Sequence, residues 1–261
     1  MTDLHSHILP GIDDGAGTMA DSVDMARAAQ RDGVRHIVAT PHHANGVYEN
    51  SRDNVLEVTD RVAGALAEAG VSVTILPGAE VHFHSGLAAG VRAGTLCTLA
   101  DTGKYLLVEL PVQLIPPTLR EELFQLKLMG ITPILAHVER NREVQQDWES
   151  LLPLLEMGVL FQCTAASLTG EFGTAIRELS IHLVRSRLIH ALGTDSHGLN
   201  FRSPVLSPAR AIIRETLADD PEMLEFMERV PRGVLQGTAP PDAPAPRMPE
   251  PKSWWKRLFG G

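Results

Sequence analysis

The chain has 261 residues, of which 44% are hydrophobic and 21% charged, and its formal net charge is −9. This length and composition fit one sizeable globular domain. The negative charge excludes a general nucleic-acid-binding surface, because proteins that bind the phosphate backbone need a basic footprint. Cys97 and Cys163 are too few for a disulfide framework, and the first residues lack the pattern of a signal peptide. We therefore expect a cytoplasmic protein.

Short apolar segments alternate with helical patterns along most of the chain, and each has the length of a buried strand. This alternation, repeated about seven times, indicates parallel strands connected by helices. We therefore predict an α/β fold, a closed or nearly closed barrel with its chemistry at the carboxyl-terminal ends of the strands. The predicted strands are the opening segment up to His7 and residues 34–40, 71–76, 105–110, 131–136, 159–164 and 188–192.

The helices between these strands have recognisable ends. Ser51 is predicted to cap a helix that Gly70 terminates. Thr118 is predicted to open another helix through a capping box with the glutamate three residues later. Ser207 and Asp220 each precede a proline, so each is predicted to cap a helix that has proline at its first position.

The composition changes after residue 236. Six prolines between positions 240 and 251 predict an extended linker over residues 237–251. Residues 252–261 mix tryptophan, leucine and phenylalanine with lysine and arginine. This mixture is typical of a weak contact with a membrane surface or a partner, and a disordered end is the alternative. We therefore divide the chain into a domain at 1–236, a linker at 237–251 and a basic, aromatic tail.

Two pairs of metal-binding side chains stand near the two ends of the predicted domain. His5 and His7 form one pair, and Asp195 and His197 form the other. Residues i and i+2 of a strand project from the same face, so each pair can aim two ligands at one point. Imidazole and carboxylate without thiolate suit manganese, iron or zinc, and so many ligands suit two or three ions. Further candidates at predicted strand ends are His42, Glu80, Glu109, His137 and one aspartate of the pair Asp13–Asp14.

Five motifs make the chain similar to the PHP (polymerase and histidinol phosphatase) superfamily. Within it, the chain most resembles the bacterial tyrosine-protein phosphatases of capsule and exopolysaccharide synthesis, the CpsB/CapC type. The motifs are HSHILPGIDDG at 5–15, ATPHH at 39–43, PGAEV at 77–81, HVERN at 137–141 and GTDSH at 193–197.

This resemblance implies a distorted seven-stranded (β/α) barrel with two or three divalent metal ions, of which manganese is favoured over iron or zinc. Arg140 and Arg202 match arginines that the family is expected to use to grip phosphate. Asp14 is preferred to Asp13 as a ligand by spacing alone. The metal ligands that the resemblance implies are His5, His7, Asp14, His42, Glu80, Glu109, His137, Asp195 and His197.

The resemblance also implies a reaction, in which a metal-bound hydroxide attacks the phosphorus of phosphotyrosine. Either His43 or His197 is a candidate to protonate the leaving group, and the residues do not decide between them. A cysteine mechanism is excluded, because Thr169 and Gly103 stand where a Cys-x5-Arg motif needs arginine. The enzyme would be a thiol-independent protein-tyrosine phosphatase that dephosphorylates the tail of a bacterial tyrosine kinase.

Two other functions stay open. One is a PHP phosphoesterase acting on a small metabolite such as histidinol phosphate, and the other is a catalytically idle regulator that binds the kinase. Glu139 is expected to pair with an arginine. The remaining histidines, expected to be ordinary core or surface residues, are His36, His82, His84, His182 and His190.

Overall fold

Nine strands form the centre of the computed structural model, which describes residues 1–247. They form one sheet of order β1-β2-β4 and a second of order β3-β5-β6-β7-β8-β9, and all neighbours are parallel. The strands are β1 (Thr2–Ser6), β2 (His36–Ala39), β3 (His42–His43), β4 (Thr74–Leu76), β5 (Glu80–His82), β6 (Tyr105–Glu109), β7 (Thr132–Leu135), β8 (Leu160–Thr164) and β9 (Ala191–Gly193).

The two sheets meet at the last and first strands. The backbone N–H of Asp195 donates to the carbonyl oxygen of His5 at 2.8 Å, and the N–H of His7 donates to Ser196 at 2.9 Å. Buried Asp3 reinforces this junction by accepting from the backbone N–H and the hydroxyl of Thr194, at 2.9 and 2.5 Å. The strands therefore curve into a barrel-like arrangement.

The predicted α/β class with parallel strands is confirmed, but the structure divides the strands differently from the expected seven. Two predicted strands are each followed by a short second strand after a break. Pro41 lies in one break, and Pro77 and Gly78 lie in the other. Proline cannot donate a hydrogen bond to a neighbouring strand, so the pairing stops at these positions and resumes beyond them.

Ten α-helices pack around the strands in the described residues. The largest fully buried side chains include Tyr105, Phe161 and Met25, and they form one continuous core with the apolar helix faces. The helices are α1 (Met19–Arg31), α2 (Arg52–Glu68), α3 (Leu87–Arg92), α4 (Leu119–Leu128), α5 (Arg142–Gln146), α6 (Leu152–Glu156), α7 (Ala165–Thr169), α8 (Thr174–Arg185), α9 (Ser207–Thr216) and α10 (Pro221–Gln236).

Two of the four predicted helix caps are confirmed. The Ser51 hydroxyl accepts from the backbone N–H three residues later in α2, and the Asp220 carboxylate does the same in α10. Gly70 follows the end of α2 with a positive φ of 66°, the conformation expected of a glycine that terminates a helix.

The caps predicted at Thr118 and Ser207 are wrong. Thr118 has helical backbone angles and makes no capping bond with its side chain in the described structure. Ser207 is already inside α9, and its hydroxyl donates to Asp32. The Asp32 carboxylate also accepts from the backbone N–H groups of Leu206 and Ser207, at 2.7 and 2.9 Å. A side chain remote in sequence therefore caps α9, which a local pattern cannot reveal.

Residues 238–247 follow α10 without helix or strand, and they rest against the domain. Pro244 is buried, and the backbone N–H of Arg247 donates to the carbonyl oxygen of Ser186 at 3.0 Å. The Arg247 guanidinium lies 3.1 Å from Asp220. The rest of the predicted linker and the tail at 252–261 lie outside the described residues. Within 1–247, no helix is long and apolar enough to span a bilayer.

Candidate metal centre

The nine residues predicted as metal ligands lie together at the carboxyl-terminal end of the strands. Three groups of potential ligand atoms occur there, and within each group all atoms lie within 4.8 Å of one another. His137 joins them, because its Nε2 is 2.8 Å from Glu80 Oε1. The groups are His5, His7, Glu80 and Asp195; His7, Asp14, His42 and His197; and His42, Glu80 and Glu109.

Gln162, which the sequence did not single out, fixes the orientation of His5. Its Oε1 accepts from the backbone N–H of His137 at 2.9 Å. Since a backbone N–H can only donate, the atom facing it must be the amide oxygen. The same oxygen lies 3.3 Å from His5 Nδ1, so that nitrogen carries the proton. The Nε2 lone pair of His5 is therefore directed into the cluster.

Asp13 plays the corresponding role for His7. Its carboxylate lies 2.7 Å from His7 Nδ1 and also accepts from the backbone N–H groups of Gly15 and His42. These contacts make His7 Nδ1 a donor and leave Nε2 free. The Asp14 carboxylate instead lies 3.4 Å from His42 Nε2 and 3.3 Å from His197 Nε2. Geometry therefore favours Asp14 as a ligand and Asp13 as the residue that positions one, a common arrangement around protein-bound metals.

The two oriented imidazoles face each other across a short gap. His5 Nε2 and His7 Nε2 are 3.2 Å apart. Oxygen atoms of Glu80 and Asp195 lie 3.2–3.4 Å from these nitrogens. Lone pairs and carboxylates repel at this separation unless a cation lies among them. The donor set therefore fits a divalent metal ion.

Several buried polar atoms of the cluster lack hydrogen-bond partners in residues 1–247. They are His42 Nδ1, Glu80 Oε2 and His197 Nε2. His42 Nδ1 lies 2.9 Å from Glu80 Oε2 and His197 Nε2 lies 3.3 Å from Asp14, but neither contact has the geometry of a hydrogen bond. A buried polar atom without a partner costs about 1–3 kcal/mol, so such atoms rarely occur without a purpose. Coordination would satisfy all three.

The electrostatics of the cluster favour positive charge. Burial opposes ionisation of Glu80 and Asp195, yet His5 and neighbouring histidines hold the pKa of each carboxyl well below its ordinary value. Burial also opposes protonation of His7, but hydrogen bonds to Asp13 and Asp195 raise its pKa well above the usual value. These carboxylates thus stabilise cations at the centre of the site.

The backbone at the site is strained. His137, Asp195 and Arg202 have φ values of 32°, 52° and 50°, a region that side chains other than glycine rarely adopt. Each such residue costs about 1–3 kcal/mol and persists only where the surrounding structure imposes it. Gly15 is required for a steric reason, because a Cβ at this position would lie 2.0 Å from the carbonyl oxygen of His7.

The two predicted phosphate-binding arginines converge on one ligand. Arg140 Nη1 and Arg202 Nη1 donate to Asp195 Oδ2 at 2.7 and 3.1 Å. Their side chains are 29% and 18% exposed, so both remain partly accessible to solvent beside the cluster. A cavity of about 70 Å³ opens beside Arg140 and is also lined by Glu109, Val112 and His137. The arrangement can hold an anion next to the metal ligands.

Several other residues differ from expectation. Glu139 has no arginine within ion-pairing distance among residues 1–247; it accepts from Thr164 N and Ser167 Oγ at 3.0 and 2.6 Å. The expected arginine pair is therefore wrong. His82 was expected to be an ordinary histidine, but its Nδ1 lies 3.1 Å from Glu109 Oε2. Of the two candidate proton donors, His197 belongs to one of the three groups, while His43 lies outside them, with Nε2 3.8 Å from Glu49.

A parallel α/β barrel with this group of imidazoles and carboxylates defines a metal-dependent barrel enzyme. The model of the family described as "Capsular polysaccharide synthesis, CpsB/CapC" matches residues 1–235. The chain therefore belongs to the CpsB/CapC family, and the resemblance predicted from its motifs is confirmed.

The relatives of this chain are named as phosphatases. The tyrosine-protein phosphatase YwqE of Bacillus subtilis is 41% identical over 203 residues, which cover 78% of this chain and 80% of that protein. The tyrosine-protein phosphatase CpsB of Streptococcus agalactiae is 28% identical over 218 residues, covering 82% and 89%.

A solved structure that is similar to this chain is also described as a tyrosine phosphatase. It comes from work on YwqE of Bacillus subtilis and CpsB of Streptococcus pneumoniae, described as unique metal-dependent tyrosine phosphatases. It matches with a TM-score of 0.89 and 35% identity, and covers 95% of this chain and 100% of the other. The predicted class, a metal-dependent tyrosine phosphatase, is thereby confirmed by the family.

Proposed function

We propose that this chain is a metal-dependent protein-tyrosine phosphatase that hydrolyses phosphotyrosine without a thiol nucleophile. The observation that carries the proposal is the pair of Nε2 atoms of His5 and His7, 3.2 Å apart among carboxylate oxygens. That geometry supports a bound cation, and the named activity of the relatives supports phosphotyrosine as the substrate.

The proposed metal ligands are the nine residues predicted from the sequence. Their burial and convergence, and their unpartnered polar atoms, support this assignment. Divalent ions bound there would activate water and offset the negative charge of the phosphoryl group. Two or three ions fit the three groups, with manganese favoured and iron or zinc as alternatives. The ligands are His5, His7, Asp14, His42, Glu80, Glu109, His137, Asp195 and His197.

Arg140 and Arg202 would bind and orient the phosphoryl group. Each uses one N–H to hold Asp195, which leaves further donors of the planar guanidinium for phosphate oxygens. Arg202 Nε is buried without a partner in the described residues, which supports an anion in its reach. Tyrosine is a comparatively good leaving group, since its phenol has a pKa of about 10. Strong protonation of the leaving oxygen is therefore less necessary than for an alkyl ester.

The cysteines support a thiol-independent reaction. Both are buried. Burial and the neighbouring Asp101 raise the pKa of the Cys97 thiol to about 12, and burial and Glu139 raise the pKa of Cys163 well above its ordinary value. A thiol that stays protonated is a poor nucleophile.

The first experiment compares metal-stripped protein with and without added Mn²⁺. Phosphate release from a phosphotyrosine peptide is measured beside release from histidinol phosphate. Turnover of the peptide that needs metal supports the proposal, while turnover of histidinol phosphate alone would transfer the function to metabolite hydrolysis. Absence of turnover with either substrate would favour a catalytically idle regulator. His5→Ala and Asp195→Asn are expected to lower metal content and activity together.

We further propose that the substrate is the phosphotyrosine tail of a bacterial tyrosine kinase, in the cytoplasm, and that the reaction regulates capsule or exopolysaccharide synthesis. The capsule link of the family supports this. We also keep the division into a domain at 1–236, a linker and a tail. The tail composition supports weak binding to the inner membrane surface.

The tail proposal is tested by deletion of residues 248–261. Turnover of a free phosphotyrosine peptide is expected to stay within twofold of the full chain, because the nine proposed ligands and both arginines lie before residue 203. Sedimentation with anionic lipid vesicles is expected to fall. Equal sedimentation of the two proteins would contradict the membrane contact.

A further inference from the structure

Exposed apolar side chains concentrate around the mouth of the metal centre. Seven large hydrophobic residues are exposed within residues 1–247. Two of them, Phe124 and Leu128, lie on α4, and the other five lie on loops that follow β3, β6 and β9 at the end that carries the cluster. These five are Val47, Val112, Leu114, Leu199 and Phe201.

Phe201 is connected directly to the phosphate-binding arginines. Its ring packs edge-to-face on Phe172, with centroids 6.0 Å apart and an interplanar angle of 81°. The Arg140 guanidinium lies 4.9 Å from the centroid of Phe172, and the Arg202 guanidinium lies 5.8 Å from that of Phe201. Both guanidinium groups donate to the same Asp195 oxygen. Two rings and two cations therefore form one continuous surface beside the cluster.

The loop that carries Phe201 is held in place by its own backbone. The N–H of His197 donates to the carbonyl oxygen of Arg202 at 3.1 Å, and this bond closes the loop between them. Arg202 adopts a φ of 50° in doing so. The strained conformation directs Arg202 inward to Asp195 while the neighbouring Phe201 ring stays 57% exposed.

An aromatic ring with one edge packed and much of its surface in water can bind a second ring. Aromatic pairs prefer edge-to-face or offset contacts and are favourable beyond the area they bury. A phosphate held by Arg140 and Arg202 would place the group esterified to it next to Phe201. In phosphotyrosine that group is an aryl ring, whereas in phosphoserine it is a short alkyl chain that cannot reach the same surface.

We propose that Phe201, supported by Phe172, is the wall that binds the aryl ring of the substrate and gives this site its preference for aryl over alkyl phosphate esters. This inference rests on the proposed phosphatase function and extends it to specificity. Phe201 is a substrate-binding residue, and Phe172 is a positioning residue that packs on both Phe201 and Arg140.

The test compares the manganese-loaded wild type with Phe201→Ala, the conservative variant Phe201→Tyr, and Phe124→Ala as a control. Phe124 is 51% exposed on α4, so its replacement removes an exposed phenylalanine away from the loops at the mouth of the site. Two readouts are used. The first is kcat and KM for phosphotyrosine and phosphoserine peptides of one sequence, and the second is the binding of phenylphosphonate and methylphosphonate by calorimetry.

Phe201→Ala is expected to raise KM for the phosphotyrosine peptide and Kd for phenylphosphonate by about threefold to tenfold. Kd for methylphosphonate should stay unchanged, and both Phe201→Tyr and Phe124→Ala should resemble the wild type. Equal weakening of both phosphonates would show that Phe201 only positions Arg202 and would overturn the proposal. Unchanged binding of both would overturn it as well.

Failure of the proposed function is recognised separately. If the wild type hydrolyses no phosphotyrosine peptide, the phosphatase proposal fails, while the two phosphonates still report whether an aryl group is preferred at Phe201. If the wild type does hydrolyse the peptide and Phe201→Ala has the wild-type preference, only the aryl wall is refuted.

Discussion

Replacement of Gln162 tests whether the orientation of His5 matters to the metal centre. The side chain is fully buried in β8, and its Oε1 accepts from His137 N and His5 Nδ1 at 2.9 and 3.3 Å. Gln162→Leu keeps most of the volume but removes the acceptor. The backbone N–H of His137 then loses its partner, which costs about 1–3 kcal/mol of stability.

Metal binding is expected to weaken as well, by a free energy comparable with this loss of stability. Without the acceptor, His5 can rotate or carry its proton on Nε2, and either change turns a ligand lone pair away from the cluster. Loss of a residue that positions a metal ligand typically lowers metal affinity by about 10- to 100-fold, or about 1.4–2.7 kcal/mol. We expect Gln162→Leu to weaken Mn²⁺ binding by that factor.

The assay is calorimetric titration of metal-free protein with Mn²⁺, together with urea unfolding of the metal-free form. Thr164→Val is the matched control, because Thr164 is fully buried in the same strand and the substitution keeps the shape of the side chain while leaving Gln162 in place. The control should bind Mn²⁺ as the wild type does. Wild-type affinity in a folded Gln162→Leu protein would refute the reasoning about the His5 tautomer.

Three further outcomes are expected. Arg140→Ala should keep its metal content by elemental analysis and lose about 100-fold or more in kcat, and near-normal turnover would reject its phosphate-binding role. Burial lowers the pKa of His190 to about 3, so below pH 6.5 this imidazole takes up a proton in the unfolded state but stays neutral in the folded state. The free energy of unfolding is therefore highest above pH 6.5 and decreases as the pH falls below it. Between pH 7.5 and 5, urea unfolding should show that the wild type loses about 2 kcal/mol more than His190→Gln, and parallel profiles would contradict this. Replacing Cys97 and Cys163 with alanine should leave kcat for the peptide within about threefold, because neither thiol ionises readily; complete inactivation of a folded variant would revive a thiol mechanism.

The sequence predicted the architecture well where the signal was local and periodic. Each predicted strand overlaps an observed one, since apolar runs of four or more residues are long enough to recognise, although β9 begins at Ala191 and ends one residue beyond the predicted 188–192. The short strands β3 and β5 were missed, because two or three residues after a proline carry no periodicity. The cap of α9 was missed for a different reason: Asp32 is 174 residues away from Leu206 in sequence.

The residues of the candidate site also divide into those that have a signal in the sequence and those that have none. Strand-end histidines and acidic residues were identifiable because their chemistry is distinctive. Gln162 and Asp13 orient two of them, yet glutamine has no metal chemistry of its own, and spacing favoured Asp14 over Asp13 as a ligand without showing that Asp13 holds His7. A polar residue inside the apolar run of β8 was the one available signal for Gln162. The tautomer of His5 depends on atoms of β1, of β8 and of His137 beyond the end of β7, which come together only in the folded structure.

The packing of residues 238–247 fixes where the chain leaves the domain. Arg247 contacts Ser186, just after α8 and before β9, so it lies at the amino-terminal end of the strands. The proposed metal ligands lie at the opposite end. A surface that contacted Arg247 itself would therefore lie at the base of the barrel, with the mouth at the opposite end. A substrate fixed to that same surface would have to reach around the whole enzyme, which only a long and pliable chain can do.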